Sequence, residues 1–274
     1  MRWSKWMLLP MVGVAYLFAQ QYDVLSPMDL VPYIPSPLAT SSRAVSAKAG
    51  PARAKAAAQR VQELLSADLA EKGLRWGDPV FLRAFKEEGQ LEVFLMQQET
   101  QRFLLFRSYP IAAQSGTLGP KLREGDGQVP EGFYAVGKGA MKPDSKFHLA
   151  FNVGYPNKYD LAHQRTGSFI MVHGNRVSAG CLAMTDEIIE EIYSLCDASL
   201  ENGQSFFQIH LFPFRMTDAR IEKSRNSEYY DFWKNLQEGY DCFEKQGIPP
   251  ETMVQEKRYS FIPAIKPMKA MESP

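Results

Sequence analysis

Apolar positions recur along this chain with two periods, and the change from one to the other falls near residue 90. From Ala52 to Gly73, ARAKAAAQRVQELLSADLAEKG sets Val61, Leu64, Leu65 and Leu69 at helical spacing among strong helix formers, and Gly73 stops the run. Pro79, tolerated in a first turn because no amide donor is needed there, predicts a second short helix over Asp78 to Glu88. From Gln90 the pattern shortens. LEVFLMQ and RFLLFRSYP read as a strand hairpin turning near residues 98–101. A long Gly- and Pro-dense loop, SGTLGPKLREGDGQVPEG, leads to the strands GFYAVG and FHLAFNVG. A polar loop, YPNKYDLAHQRTG, then precedes SFIMVH, an apolar strand ending on His173. Thr185 caps a helix running to about Leu200, with Asp186 and Glu187 in its first turn and Ile188, Ile192 and Leu195 on one face. SFFQIHLFPF reads as a buried strand. A helix near Ser227 to Lys245 carries Tyr230, Trp233, Leu236, Tyr240 and Phe243, and Gly247 with Pro249 and Pro250 ends it.

These elements predict a mainly β (α+β) core over residues 90–213 with a helix packed after the cysteine loop. A helical segment (51–89) precedes it and a C-terminal helical extension (214–274) follows. Residues 20–50, with Pro27, Pro32, Pro35 and Pro37 and then SSRAVSAKAG, read as a linker. At the start, Arg2 and Lys5 precede the apolar run Met7 to Ala19. That layout is a signal peptide or an uncleaved membrane anchor with Trp3 and Trp6 at the interface. Leu17 fits the small-residue cleavage rule poorly, so both readings stand. Either implies export. No later run is apolar and long enough to span a membrane.

Charge narrows the function classes. Lys plus Arg and Asp plus Glu each number 31, so no basic field exists to hold a nucleic-acid backbone. Three cysteines do not make a disulfide framework. Cys196 and Cys242 sit on predicted helices, either as small buried side chains or as a pair, and both alternatives leave Cys181 unpaired.

Cys181 is where the chemistry concentrates. It follows Ser178, Ala179 and Gly180 in a turn of small residues that lets a substrate backbone approach and can aim backbone N–H groups, those of Gly180 and Cys181, at a developing oxyanion. His173 lies eight positions upstream, at a strand end before Gly174. An imidazole there can take the thiol proton and return it to a leaving amine. Its other ring nitrogen needs an orienting group, either the carbonyl of Gly174 or a side chain from a distant loop. His148, Tyr155, Asn157, His163 and Arg165 are candidates for substrate binding, with Lys158, Lys138 and Lys142 as further cations. His210, in an apolar strand, reads as structural. His148, His163, His173 and Cys181 form no compact metal-ligand motif, and no phosphate-binding or dinucleotide fingerprint occurs, so neither metal nor cofactor is expected.

The segments LEVFLMQ, RFLLFRSYPI, SGTLGPKLREGDGQVPEGFYAV, FHLAFNVGYPNKYDLAHQRTGSFIMVHG and VSAGCLAMTD, in this order, resemble the L,D-transpeptidase catalytic domain of the YkuD type, and within it the YafK branch, also called DpaA. The resemblance implies a β-sandwich core, Cys181 as the acylated nucleophile and His173 as its proton-transfer partner. Ser178 and Gly180 match the small residues of the family's Ser/Thr-His-Gly-Cys turn, in which Ala179 replaces the usual histidine. The gap from His173 to Cys181 is shorter than in the common pattern. The implied partners are peptidoglycan stem peptides, attacked at the L-centre carbonyl of meso-diaminopimelate in a Gram-negative periplasm. Amine or water then accepts the acyl group. In the YafK branch the broken bond is implied to join diaminopimelate to an outer-membrane lipoprotein. A wall-binding module without turnover is the competing class.

Overall fold

The computed structural model describes residues 37–262. The expected signal peptide or anchor lies outside them, and among the described residues no helix is long and apolar enough to cross a membrane. Helix α1 (Pro37–Glu71) begins well before Ala52, so the second half of the expected linker is helical, with Pro51 inside it. Ala54, Ala57, Val61, Leu65 and Leu69 form its buried stripe, while Leu64 faces solvent.

A five-stranded sheet follows, ordered β3-β2-β1-β9-β4. Its strands are β1 (Val80–Phe85), β2 (Gln90–Gln97), β3 (Arg102–Pro110), β4 (Gly132–Gly137) and β9 (Phe206–Phe212). The expected helix over Asp78–Glu88 is therefore a correction: β1 lies at the sheet centre, antiparallel to β2 and parallel to β9. Every β1 side chain is buried, so the run carries no alternation to mark a strand. Val80, Leu82 and Ala84 face the main core, and Phe81, Arg83 and Phe85 face the other way.

A smaller sheet, ordered β5-β6-β7-β8, holds β5 (Met141–Lys142), β6 (Ala150–Asn152), β7 (Met171–His173) and β8 (Leu182–Ala183). One core joins the two sheets. Phe151 of β6 meets Phe207 of β9 edge to face at 5.4 Å, with Val172, Leu182, Leu82 and Ile209 in the same cluster. Between β6 and β7 the polar loop forms α2 (Lys158–Ala162). Helix α3 (Asp186–Glu201), capped as expected by the Thr185 hydroxyl, buries Ile189, Ile192 and Leu195 in this core.

The C-terminal extension closes the outer face of the larger sheet. It comprises α4 (Asp218–Glu222), α5 (Tyr230–Gln246) and an unexpected antiparallel hairpin, β10 (Glu251–Gln255) and β11 (Arg258–Ile262). Phe243 of α5 stacks near Phe81 and Phe94, with ring centroids at 4.8 and 5.0 Å. Arg83 is buried beneath it, bonded to Glu92 and Glu244 and lying over four aromatic rings. Cys196 and Cys242 do not bridge; both are free thiols.

Candidate active site

Strand register sets the geometry around Cys181. β7 and β8 run parallel, with Val172 opposite Leu182 and His173 opposite Ala183. Val172 and Leu182 point into the core. By strand alternation, Met171, His173, Cys181 and Ala183 share the opposite face. Cys181 thus stands one step before β8, level with Met171, whose N–H donates to its Sγ at 3.4 Å. The thiol lies 3.7 Å from the Phe169 carbonyl.

His173 is buried, and its Nδ1 lies 2.6 Å from the Gly174 carbonyl oxygen. A carbonyl only accepts, so Nδ1 carries the hydrogen and Nε2 keeps its lone pair. Of the two orienting groups left open by the sequence, the Gly174 carbonyl is the one in place. Phe147 lies against the imidazole with centroids 4.8 Å apart, and its carbonyl accepts the Gly174 N–H. Burial pushes the His173 pKa below its ordinary value, against the smaller upward pull of the Gly174 carbonyl. Burial also pushes the Cys181 thiol up, opposed by the Met171 N–H and the Lys121 ammonium. Both shifts favour the uncharged forms, a neutral imidazole and a thiol.

The turn itself is latched. Ser178 Oγ accepts the Cys181 N–H at 3.0 Å and donates to the Cys181 carbonyl at 2.6 Å. Gly180, at φ +93°, donates its N–H to Ser115 Oγ at 2.6 Å. The two amides expected to face an oxyanion are thus already bonded to serine hydroxyls at rest. Four non-glycine residues with positive φ, His148, Phe169, Asn175 and Thr185, flank these strand ends. Phe169 is also 74% exposed, beside the thiol.

The candidates for substrate binding all have hydrogen-bond partners within the fold. His148 Nε2 lies 2.7 Å from Glu190 on α3, which also binds Arg60 of α1. Tyr155 is buried with its hydroxyl near the Lys121 and Thr166 carbonyls. Asn157 caps α2 in a reciprocal box with Asp160 and reaches the Phe133 carbonyl and the Tyr259 hydroxyl. Arg165 is buried, paired with Asp160 at 2.8 Å and packed over Tyr159 and Phe232. His163 bonds the Lys257 carbonyl of the C-terminal hairpin. In this structure these four residues staple the polar loop to the core and the C-terminal extension. Lys138 pairs with Glu201, and Lys142 bonds the Gly139 carbonyl.

The sequence reading missed Ser115, Lys121 and Phe147. Lys121 is buried, its Nζ held by Asp126 and the Arg123 carbonyl. Ser115 and Lys121 sit in the long loop, where only Gly and Pro content stood out, and Phe147 opens the run FHLAFNVG, ahead of the strand that forms there at Ala150–Asn152.

A two-sheet α+β core flanked by helices, with a cysteine turn beside a histidine-bearing strand, has the architecture of a YkuD-type catalytic domain. Residues 86–211 match that family, the L,D-transpeptidase catalytic domain. The chain is 44% identical over 183 residues to YafK of Escherichia coli (strain K12), a protein assigned by name as an L,D-transpeptidase; the match covers 67% of this chain and 74% of that protein. The chain belongs to the L,D-transpeptidase family, in its YafK-like branch, a family that acts on peptidoglycan. Among solved structures, the helical cell shape determining protein Pgp2 (K307A mutant) from Campylobacter jejuni aligns at TM-score 0.42 and 18% identity, over 61% of this chain and 56% of that one. Bdellovibrio bacteriovorus Bd1075 aligns at 0.35 and 18%, over 67% and 85%. At these scores neither bears on the assignment.

Proposed function

We propose that the protein is an envelope cysteine acyl transferase or peptidase that attacks the L-centre carbonyl of meso-diaminopimelate in peptidoglycan stem peptides. The observation that carries this is the 2.6 Å contact of His173 Nδ1 with the Gly174 carbonyl, which puts the hydrogen on Nδ1 and leaves Nε2 as the basic nitrogen, on a strand that runs beside the one Cys181 leads into. Neutral Nε2 takes the thiol proton as sulfur attacks the carbonyl. The C–N bond breaks, the imidazolium protonates the departing amine, and a thioester remains on Cys181. An incoming amine then gives transpeptidation and water gives hydrolysis, with His173 accepting the proton in either case. In the resting turn the Gly180 and Cys181 N–H groups are held by the Ser115 and Ser178 hydroxyls, which fixes the path of the chain around the nucleophile.

The branch resemblance extends the donor to a diaminopimelate bond carrying a lipoprotein-derived lysine. Purified protein incubated with muropeptides, with and without such a lysine-linked peptide, is expected to give cross-linked, trimmed or released products by mass spectrometry. Cys181→Ala should abolish all of them. Turnover retained by that variant removes Cys181 from the nucleophile role, and no product from any substrate favours the wall-binding reading.

A further inference from the structure

Ser115 lies in the long loop that precedes β4, 65 residues before Gly180, yet its hydroxyl is bonded on both sides. Its oxygen accepts the Gly180 N–H at 2.6 Å and its hydrogen goes to the Gly127 carbonyl at 2.7 Å. The second bond fixes the hydroxyl, so its lone pair is aimed at Gly180. The same loop closes on Gly180 a second time: a Cβ there would lie 3.3 Å from the Gln128 carbonyl oxygen.

The loop is itself held at two points. Asp126 accepts the N–H groups of Leu122, Arg123 and Gln128 and the Lys121 ammonium. Glu131, fully buried, accepts from Lys86, from the Gly119 N–H and from the Trp233 indole on α5 at 2.8–3.0 Å. Lys86 also bonds the Gly119 and Val129 carbonyls. A charged pair this deeply buried is stable only while each partner keeps its bonds. The loop therefore has one defined path, and Ser115 sits on it facing the turn.

We propose that Ser115 is a positioning residue of the acyl-transfer site, held on the Glu131-anchored loop, and that it sets Cys181 through the Gly180 amide. This rests on the reading of Cys181 as nucleophile. Without the hydroxyl, the Gly180 amide swings and the thiol becomes more solvated, yet it is aimed less well at the carbonyl.

The test uses the full chain, comparing Ser115→Ala and Ser115→Thr with wild type. Two quantities are read: turnover of muropeptides, and the pH dependence of Cys181 alkylation by iodoacetamide, followed by peptide mass mapping to exclude Cys242. For Ser115→Ala, kcat is expected to fall by about 10- to 100-fold, the scale of a small misplacement of reacting groups, with KM little changed. Alkylation of Cys181 at neutral pH should become faster while the fully buried Cys196 stays unlabelled, a combination that loss of fold does not produce. Ser115→Thr, which keeps the hydroxyl, should recover most of the turnover. Wild-type kcat and an unchanged alkylation profile in Ser115→Ala would overturn the proposal. So would a chain that melts far below wild type yet has normal kcat per folded molecule. If wild type turns over no muropeptide but Ser115→Ala still shifts the alkylation profile, the assigned reaction fails and the positioning role stands.

Discussion

At the scale of single residues, His173 is buried and Cys181 half-buried, and both are shifted toward their uncharged forms. His173 is held below the ordinary imidazole value of about 6.5 and Cys181 above the ordinary thiol value of about 8.5. A resting thiolate–imidazolium pair would need the reverse shifts. The expected kcat/KM profile therefore rises along an acid limb whose midpoint lies below 6.5, since His173 must be neutral to act as base. Alkylation of Cys181 should increase with pH up to an alkaline midpoint. Fast alkylation at pH 6, equal to that at pH 9, would show a preformed ion pair and sink this account. Neither direction was legible in the sequence, which gives the residue types and their spacing but not the burial. Spacing did mark the Gly174 carbonyl as one of two partners for the imidazole, because Gly174 follows His173 directly and both sit where the strand ends. Ser115 left no such mark, since its contact with Gly180 is made entirely by tertiary folding of a loop.

At the scale of elements, alternation decided which strands could be seen. β2 and β3 form the expected hairpin, and β9 runs where SFFQIHLFPF suggested. β1 is buried on both faces between two partners, and a short apolar run of that kind looks alike as helix or strand. The β10–β11 hairpin was missed for a different reason. Its turn residues Glu256 and Lys257 both take positive φ, at 48° and 61°, where Asn-Gly would be the usual signal. On β9, His210 is packed edge-on against Phe81 and Phe133, each at 4.6 Å, with Nε2 on Gln208 and Nδ1 without a partner. Burial, aided by Arg83, holds its pKa well below 6.5. The sign follows from proton uptake. Below about pH 6.5 the unfolded chain protonates this ring and the folded chain does not, so stability falls with falling pH by at most about 1.4 kcal/mol per pH unit. The contribution is complete above the unfolded value. His210→Leu should flatten the urea-unfolding stability between pH 7 and pH 5 by up to that slope. An unchanged pH dependence would mean that the ring is protonated in the fold.

At the scale of the whole molecule, the C-terminal extension does two separable things. Through Trp233 it reaches Glu131 and the loop behind Gly180, and through Phe243 it covers the outer face of the larger sheet. Phe243 is 5% exposed, lies against Phe81 and Phe94, and helps enclose the Arg83 guanidinium, which is bonded to Glu92 below and Glu244 above. Removing that ring leaves a cavity beside a buried cation whose solvent shielding it supplies. Phe243→Ala should therefore cost about 3–5 kcal/mol in urea unfolding, the range for buried aromatic truncations. That is a large share of the roughly 5–15 kcal/mol that holds an ordinary domain together. The ring packs with Phe81, Phe94, Phe103 and Met96, none of which lies in the loop from Ser115 to Glu131, so turnover per folded molecule should stay near wild type at low temperature. The opposite pattern is expected at Ser115: a small change in stability with a large loss of kcat. If Phe243→Ala instead lowers kcat as far as Ser115→Ala does, the outer face and the cysteine turn move together. The extension then acts on the site through the sheet itself rather than through Glu131.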